Sequence, residues 1–321
     1  MIQRDFAPKA QRLKSVISRV DAVPELLNQG RINLKAEKVP PIYADIALEQ
    51  MPGIIEFFEK TLPDYFKEVD DQEALNQLSE SNYRCVEALR DYEQFLKSRI
   101  LPQAKGQFAL GKERFAKKLL FEEFVDQDLD SLLADGEKEL ARLQAEFKLW
   151  AGKIEKGGDP VEVFKRVSAN YPAPNKLIGA VSGVLEEIRN YCVKKPIVTI
   201  PGEERAKVEE TPPFNRALSF ASMDTPGPFE KVAKEAYYYV TLPEPDWSAE
   251  KADEHMRSFC QGDLLNTSVH EAYPGHYVQF RWVNKAPGRV RKVLGCDSNA
   301  EGWAHYCEQM MIEEGFRNGD P

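Results

Sequence analysis

Histidine is absent from the first 254 residues of this 321-residue chain. Imidazole chemistry is therefore confined to the last part, which holds His255, His270, His276 and His305. Cysteine is scarce: Cys85, Cys192, Cys260, Cys296 and Cys307 are odd in number and form no C-x-x-C pair. That argues against a disulfide scaffold and reads as reduced core residues. No apolar run approaches the ~18 residues of a membrane-spanning helix. No basic block offsets the net charge of −9, which argues against nucleic acid or an anionic membrane as the main partner. G-x-G-x-x-G, Walker A and G-x-S-x-G are missing, and with them the usual signs of dinucleotide binding, nucleotide hydrolysis and serine hydrolases. The start, Met1 to Lys9, has no apolar stretch of the secretory kind and reads as cytoplasmic.

What is present is the composition of a globular protein, 42% hydrophobic and 30% charged, long enough for one large or two ordinary domains. Up to about residue 190 the pattern is helix after helix. Leu75, Leu78, Asn82, Cys85, Leu89, Tyr92 and Leu96 alternate by three and four, a seam suited to packing on another helix that should stop near Pro102. Leu133, Gly136, Leu140, Leu143, Phe147 and Ile154 read as a second packing seam. It ends at Gly157-Gly158-Asp159-Pro160, the clearest linker signal in the chain. That signal separates a helical region, 1–156, from 161–321, both read as parts of one continuous domain. A further helix is expected from Asn175 toward Cys192.

Around Pro196 the texture changes. Residues 196–201, 206–211 and 236–242 are short runs rich in β-branched or aromatic residues and bounded by proline, which predicts short or edge strands. The fold class expected is thus mainly α with a small antiparallel β-sheet at about residues 196–242. Tyr237 and Tyr239 should share one face and Tyr238 the other. The turn-rich segment 222–229 reads as a loop at the mouth of a cleft.

The chemistry is concentrated in His270-Glu271-Ala272-Tyr273-Pro274-Gly275-His276. A hydrolytic zinc takes three nitrogen or oxygen ligands and leaves a fourth position for water, whose pKa falls from about 15.7 to about 7. A carboxylate nearby then takes the proton. The helical H-E-x-x-H solution sets its histidines at i and i+4; here the spacing is i to i+6. On an unbroken helix of about 3.6 residues per turn, the second ring would point roughly 120° away from the first. Pro274 cannot bond back to His270, and Gly275 tolerates dihedrals closed to other residues. The pair is therefore expected to bulge out and return His276 to the angular position of i+4.

A third ligand should be a carboxylate on another helix. Glu301 opens a helical pattern through Trp303, Tyr306, Met310 and Ile312, and Ser298 to Glu301 also reads as a capping box. Cys296 and Cys307 flank Glu301 as less suitable candidates. Ser248 should cap a helix carrying His255, a surface residue without a partner at ligand spacing, and Asp263 should cap the motif helix. Arg289, Arg291 and Lys292 form a short basic cluster.

HEAYPGH followed by Glu301-Gly302-Trp303-Ala304 resembles domain-of-unknown-function family 885, whose H-E-A-x-P-G-H and E-G-W-A motifs belong to zinc-metallopeptidase-like proteins related to the gluzincins. The resemblance implies that His270, His276 and Glu301 bind Zn2+ and that Glu271 is the general base. It implies a multi-helix gluzincin-like zinc hydrolase domain and an edge strand holding an extended substrate, for which 237–241 is the favoured candidate, with aromatics packed in a core sheet an equally open reading of that run. It also implies that this chain corresponds to an internal portion of longer members. The commonest family form has an apolar residue where this chain has His305. That residue shares a face with Glu301 and is open to three roles: orienting a ligand, donating to a tetrahedral intermediate, or simply belonging to the helix.

The function expected is a zinc-dependent metallopeptidase acting on a peptide or small amide. The alternatives are a zinc hydrolase of non-peptide amides or esters, and a helical binding module with a structural or vestigial metal. A fourth protein ligand would favour the structural site.

Overall fold

The computed structural model describes residues 2–319. It is mainly helical with one small sheet and divides into two compact units. The first holds the chain up to Leu110 with Thr211–Phe220 and Glu230–Lys234; the second holds Gly111–Glu210, Ala221–Phe229 and the chain from Glu235. The expected break at 157–160 lies inside the second unit. There the Asp159 carboxylate accepts from the backbone N–H groups of Val161 and Glu162 and so starts the next helix.

The first unit is built from α1 (Lys9–Asn33), α2 (Pro41–Glu56), α3 (Leu62–Phe66) and α4 (Gln72–Phe95). Asp71 starts α4 by accepting from Ala74 N, which offsets one of the orphan donors of a helix start. The seam read from the sequence is the packed one: Leu78, Cys85 and Leu89 are buried with Leu13, Val16 and Val20 of α1. Asn82 belongs in that seam because its amide donates to Phe58 O at 2.6 Å. Beyond α4 come a π-helical turn, Leu96–Ile100, and a 3-10 turn, Leu101–Gln103, where the helix stops near Pro102 as expected.

The second unit contains α5 (Lys112–Glu122), α6 (Leu129–Ile154), α7 (Pro160–Ser168), α8 (Leu177–Lys194), β1 (Ala206–Glu210), β2 (Ala221–Asp224), β3 (Ala236–Val240), α9 (Ala249–Arg257), α10 (Gln261–Glu271), α11 (His276–Val283), α12 (Arg289–Val293) and α13 (Asp297–Glu313). Its core joins Leu177, Val181, Leu185 and Ile188 of α8 to Tyr238 and Val240 of β3 and Val269 of α10.

The α6 stripe is not the packing seam expected from its spacing. Leu133 is 63% exposed and Leu140 55%, while Ala151 is the buried residue of the helix. Among the described residues α6 packs mainly on α7, where Phe147 meets Phe164 edge to face. Spacing marks an apolar face; it does not supply the partner.

The sheet is mixed, not antiparallel. Its order is β1-β3-β2, with β1 parallel and β2 antiparallel to β3. Residues 211–235 separate β1 from β3, enough chain for the crossover that parallel pairing needs, and alternation within strands cannot reveal this. Residues 196–201 form no strand, although Ile197, Val198 and Ile200 still pack on the core. β2 instead arises from the stretch read as loop. Tyr237 and Tyr239 do stack on one face, centroids 5.9 Å apart, and Tyr238 is buried in the core. Because β3 is paired on both sides, the 237–241 run is no free edge for a substrate; β2 is an edge, and it packs against α10.

Candidate metal centre

Ser248 caps α9 as expected, accepting from Lys251 N at 3.1 Å. His255 on that helix is not a surface residue. Its ring is half-buried between Trp247 and Phe259, with Nε2 donating to Thr241 O at 2.7 Å, so it ties α9 to the end of β3. Next, α10 starts after Cys260 rather than after Asp263. Asp263 sits within its first turn and accepts from Cys260 Sγ at 3.4 Å, where a carboxylate suits the positive helix end.

The break after Glu271 is the bulge the sequence called for. Tyr273-Pro274 is a cis peptide. Gly275 N donates to Val269 O at 3.1 Å, spanning six residues where a helix spans four, and Gln279 N then returns to Gly275 O at 3.0 Å. Two residues are thus looped out and the helical path resumes. A Cβ on Gly275 would lie 1.8 Å from His270 O, so only glycine permits this approach. Tyr273 and Tyr277, buried and 5.3 Å apart edge to face, anchor the bulge: Tyr273 Oη accepts from Ala206 N and Tyr277 Oη donates to Glu204 O.

The looping brings the two imidazoles together, with ring centroids 4.7 Å apart. Glu301 on α13 completes the set: its Oε2 lies 3.4 Å from His270 Nε2 and 3.6 Å from His276 Nε2. The ligand atoms of His270, His276 and Glu301 all lie within 4.8 Å of one another, so the three could hold a divalent cation. Two contacts place α13 for this. Trp303 Nε1 donates to Pro274 O at 3.1 Å, and Gln279 Nε2 donates to Asn299 O at 3.2 Å. The expected capping box does not form, because Ser298 gives its N–H and hydroxyl to Glu123. Glu301 is thereby left to face the histidines. The buried face of α13 is Ala304, Cys307 and Met311; Tyr306 and Ile312, expected on the packed stripe, are exposed.

Sequence reading missed Glu308. Its Oε1 accepts from His270 Nδ1 at 2.8 Å, and its Oε2 accepts from Asn266 Nδ2 at 2.6 Å. It lies seven positions after Glu301 on the same helix face, a spacing too common to single it out. His276 Nδ1 faces Gln279 Oε1 at 3.4 Å. With both Nδ1 atoms directed at oxygen acceptors, both Nε2 atoms present lone pairs toward Glu301. Burial pushes the Glu308 carboxyl up, but the bonds from His270 and Asn266 outweigh it and hold it below the usual range. The Glu308 bond in turn raises His270, while burial lowers His276.

Glu271 is placed apart from these three. It is partly buried, and burial pushes its carboxyl up to about 7, opposed by His270 and by the Met223 N–H of β2 that it accepts from. A bound cation would draw it back down. The structure places His305 at the rim, 82% exposed and with Nδ1 3.6 Å from Glu308 Oε1; it is not among the three grouped ligands. Neither are the flanking thiols: Cys307 is fully buried and its thiol is pushed up to about 12, and Cys296 bonds to Glu123. The basic cluster lies on α12, with Lys292 over the Phe229 ring.

Residues 1–321 match the family described as "Bacterial protein of unknown function (DUF885)". The chain belongs to the DUF885 family. Among solved structures it is similar to a presumed lipoprotein of unknown function from Shewanella oneidensis, at 25% identity and a TM-score of 0.66, over 100% of this chain and 59% of that one. It is also similar to a presumed lipoprotein from Colwellia psychrerythraea, at 15% identity and a TM-score of 0.74, over 97% of this chain and 56% of that one. This DUF885 chain therefore spans less than two thirds of either relative. No curated protein matches it. No helix among its described residues is long and apolar enough to cross a membrane.

In this DUF885 chain the Glu308 bond has a measurable consequence. Glu308→Gln keeps the shape but weakens the charge-assisted bond that orients His270, so metal affinity should fall about 10–100-fold with the circular dichroism spectrum unchanged. Competition with a chromogenic chelator reads the affinity; an unaltered affinity would show that Glu308 does not orient His270.

Proposed function

We propose that this chain carries the catalytic site of a zinc-dependent hydrolase that cleaves peptide bonds, related in its site to the gluzincins. The observation that supports this most is the convergence of His270, His276 and Glu301. Tetrahedral zinc with bonds of about 2.0–2.2 Å sets its ligand atoms about 3.3 Å apart; the two His–Glu separations of 3.4 and 3.6 Å suit such an ion. Among the described residues three groups rather than four converge, which favours an open, catalytic position over a structural site. When bound, the ion would supply Lewis acidity, acidifying a water and polarising the scissile carbonyl.

The chain's own residues do the remainder. Glu271 sits one residue past the first ligand, outside the ligand set, and takes the proton of the attacking water. From there it can hold that proton and deliver it to the leaving nitrogen. Met223 N–H keeps the carboxylate turned toward β2. β2 borders the zinc helix at the sheet edge, which supports an extended peptide lying along it as an added strand. His305 is assigned to the rim, where it contacts a substrate before it contacts the reacting carbonyl. The lipoprotein descriptions of both solved relatives support an extracytoplasmic setting over the cytoplasmic one, to be checked by cell fractionation.

The test is metal analysis of the purified protein with a peptide-library cleavage assay. One zinc per chain is expected, with cleavage lost on chelation and restored by zinc. His276→Ala should abolish both. Zinc bound without any cleavage of peptides, amides or esters would favour the structural reading instead.

A further inference from the structure

The first unit holds a cavity of about 620 Å³ that plays no part in the metal site. Its walls are mostly aliphatic, from Leu34, Val39, Ala44, Ala47, Leu96 and Ile100, with Tyr43 and Tyr92 beside them. Leu96 and Ile100 bound a π-helical turn, closed by Leu101 N donating to Leu96 O; turns of this kind tend to occur at functional sites. Gly106 locks the opposite wall. Its N–H donates to Val39 O at 2.9 Å, and a Cβ there would lie 2.1 Å from Lys38 O. Lys35 and Lys38 are exposed at the mouth, and no acidic residue lines the cavity.

We infer that this cavity binds a long-chain fatty acid, with the acyl chain against the aliphatic walls and the carboxylate between Lys35 and Lys38. Size and lining are those of a small-molecule site, mostly apolar with a few polar groups to fix orientation. Charge complementarity selects an anionic head. The state of the backbone selects an acyl chain over a peptide. Leu34 N donates to Gly30 O, Lys38 N to Lys35 O, Val39 N to Ala36 O and Tyr43 N to Pro40 O, and the α2 and α4 walls are helix sides with their bonds internal. A peptide laid here would bury its amides without partners, at a cost an acyl chain does not incur.

The experiment is calorimetric titration with palmitate, and with hexadecanol as its uncharged counterpart. Palmitate is expected to bind saturably with micromolar Kd and roughly tenfold more tightly than hexadecanol, two exposed charge pairs being of about that worth. The double charge reversal Lys35→Glu, Lys38→Glu should erase that preference while leaving hexadecanol affinity and zinc content unchanged. Ala47→Trp should fill the cavity and remove binding of both. No saturable palmitate binding, equal affinity for the two ligands, or an Ala47→Trp protein that is folded and still binds would each overturn the inference. So would an apolar peptide that displaces palmitate at equal concentration. Should Ala47→Trp fail to fold, the charge-reversal protein decides, since both lysines are exposed.

Discussion

Glu271→Gln is expected to reduce peptide hydrolysis by about 10²–10⁴-fold, the range for removal of a general base, and to leave one zinc per chain. The proposed ligands are His270, His276 and Glu301, the three groups that could hold a cation, and none of them is touched. The amide oxygen of Gln can still accept from Met223 N–H, so β2 stays where it is. What goes is the capacity to take a proton from water and hand it to the leaving amine. Both kcat and kcat/KM should fall together, as for an interaction made in the transition state. Zinc stoichiometry by mass spectrometry and initial rates on the best library substrate read the two halves separately. Full hydrolysis by the zinc-loaded variant would remove Glu271 from the mechanism; loss of zinc would mean that it is a ligand.

Gly275→Ala should be the most damaging single-methyl change in the second unit. The added Cβ would stand 1.8 Å from His270 O and 2.5 Å from Val269 O, both backbone atoms that cannot swing away. The Gly275–Val269 hydrogen bond that closes the bulge must break or lengthen, and His276 then rotates away from His270. A loss of roughly 3 kcal/mol in stability is expected from overpacking of this kind, together with loss of zinc at concentrations that saturate the parent protein. Gly302→Ala is the control. It lies beside Glu301 on α13 and meets nothing within 4 Å, so a gain of about 0.5–1 kcal/mol is expected from the better helix former. Equal effects at the two glycines, in thermal melts and zinc titrations, would mean that the bulge geometry does not govern the site.

Much of the site was legible because its logic is local. A separation of six positions from His270 to His276, with Pro274 and Gly275 between them, demands a loop-out on helical geometry alone, and the Gly275 bond to Val269 is what that demand looks like when met. Glu301 was legible as an acid on a following helix. Glu308 was not singled out, since an acid seven positions on is common on any exposed face. Its value lies in meeting His270, which depends on how α13 crosses α10. The misread cap at Ser298 has a similar origin: Glu123, far away in the chain, competes for the same N–H. His255 looked solitary because its partner is a main-chain carbonyl, Thr241 O, and carbonyls carry no sequence signal.

By itself the sequence determined that helices dominate, where the apolar faces lie, and that two histidines must share a bulged turn. These follow from periodicity and backbone sterics within a few residues. Which faces find partners was decided only in the tertiary structure, for the α4 seam is buried while the equally regular α6 stripe stays exposed. So were the place of β3 between β1 and β2, and the approach of Glu301 to both rings. Each depends on contacts between segments far apart in the chain, and a residue's own neighbours in sequence do not encode what will be packed against it.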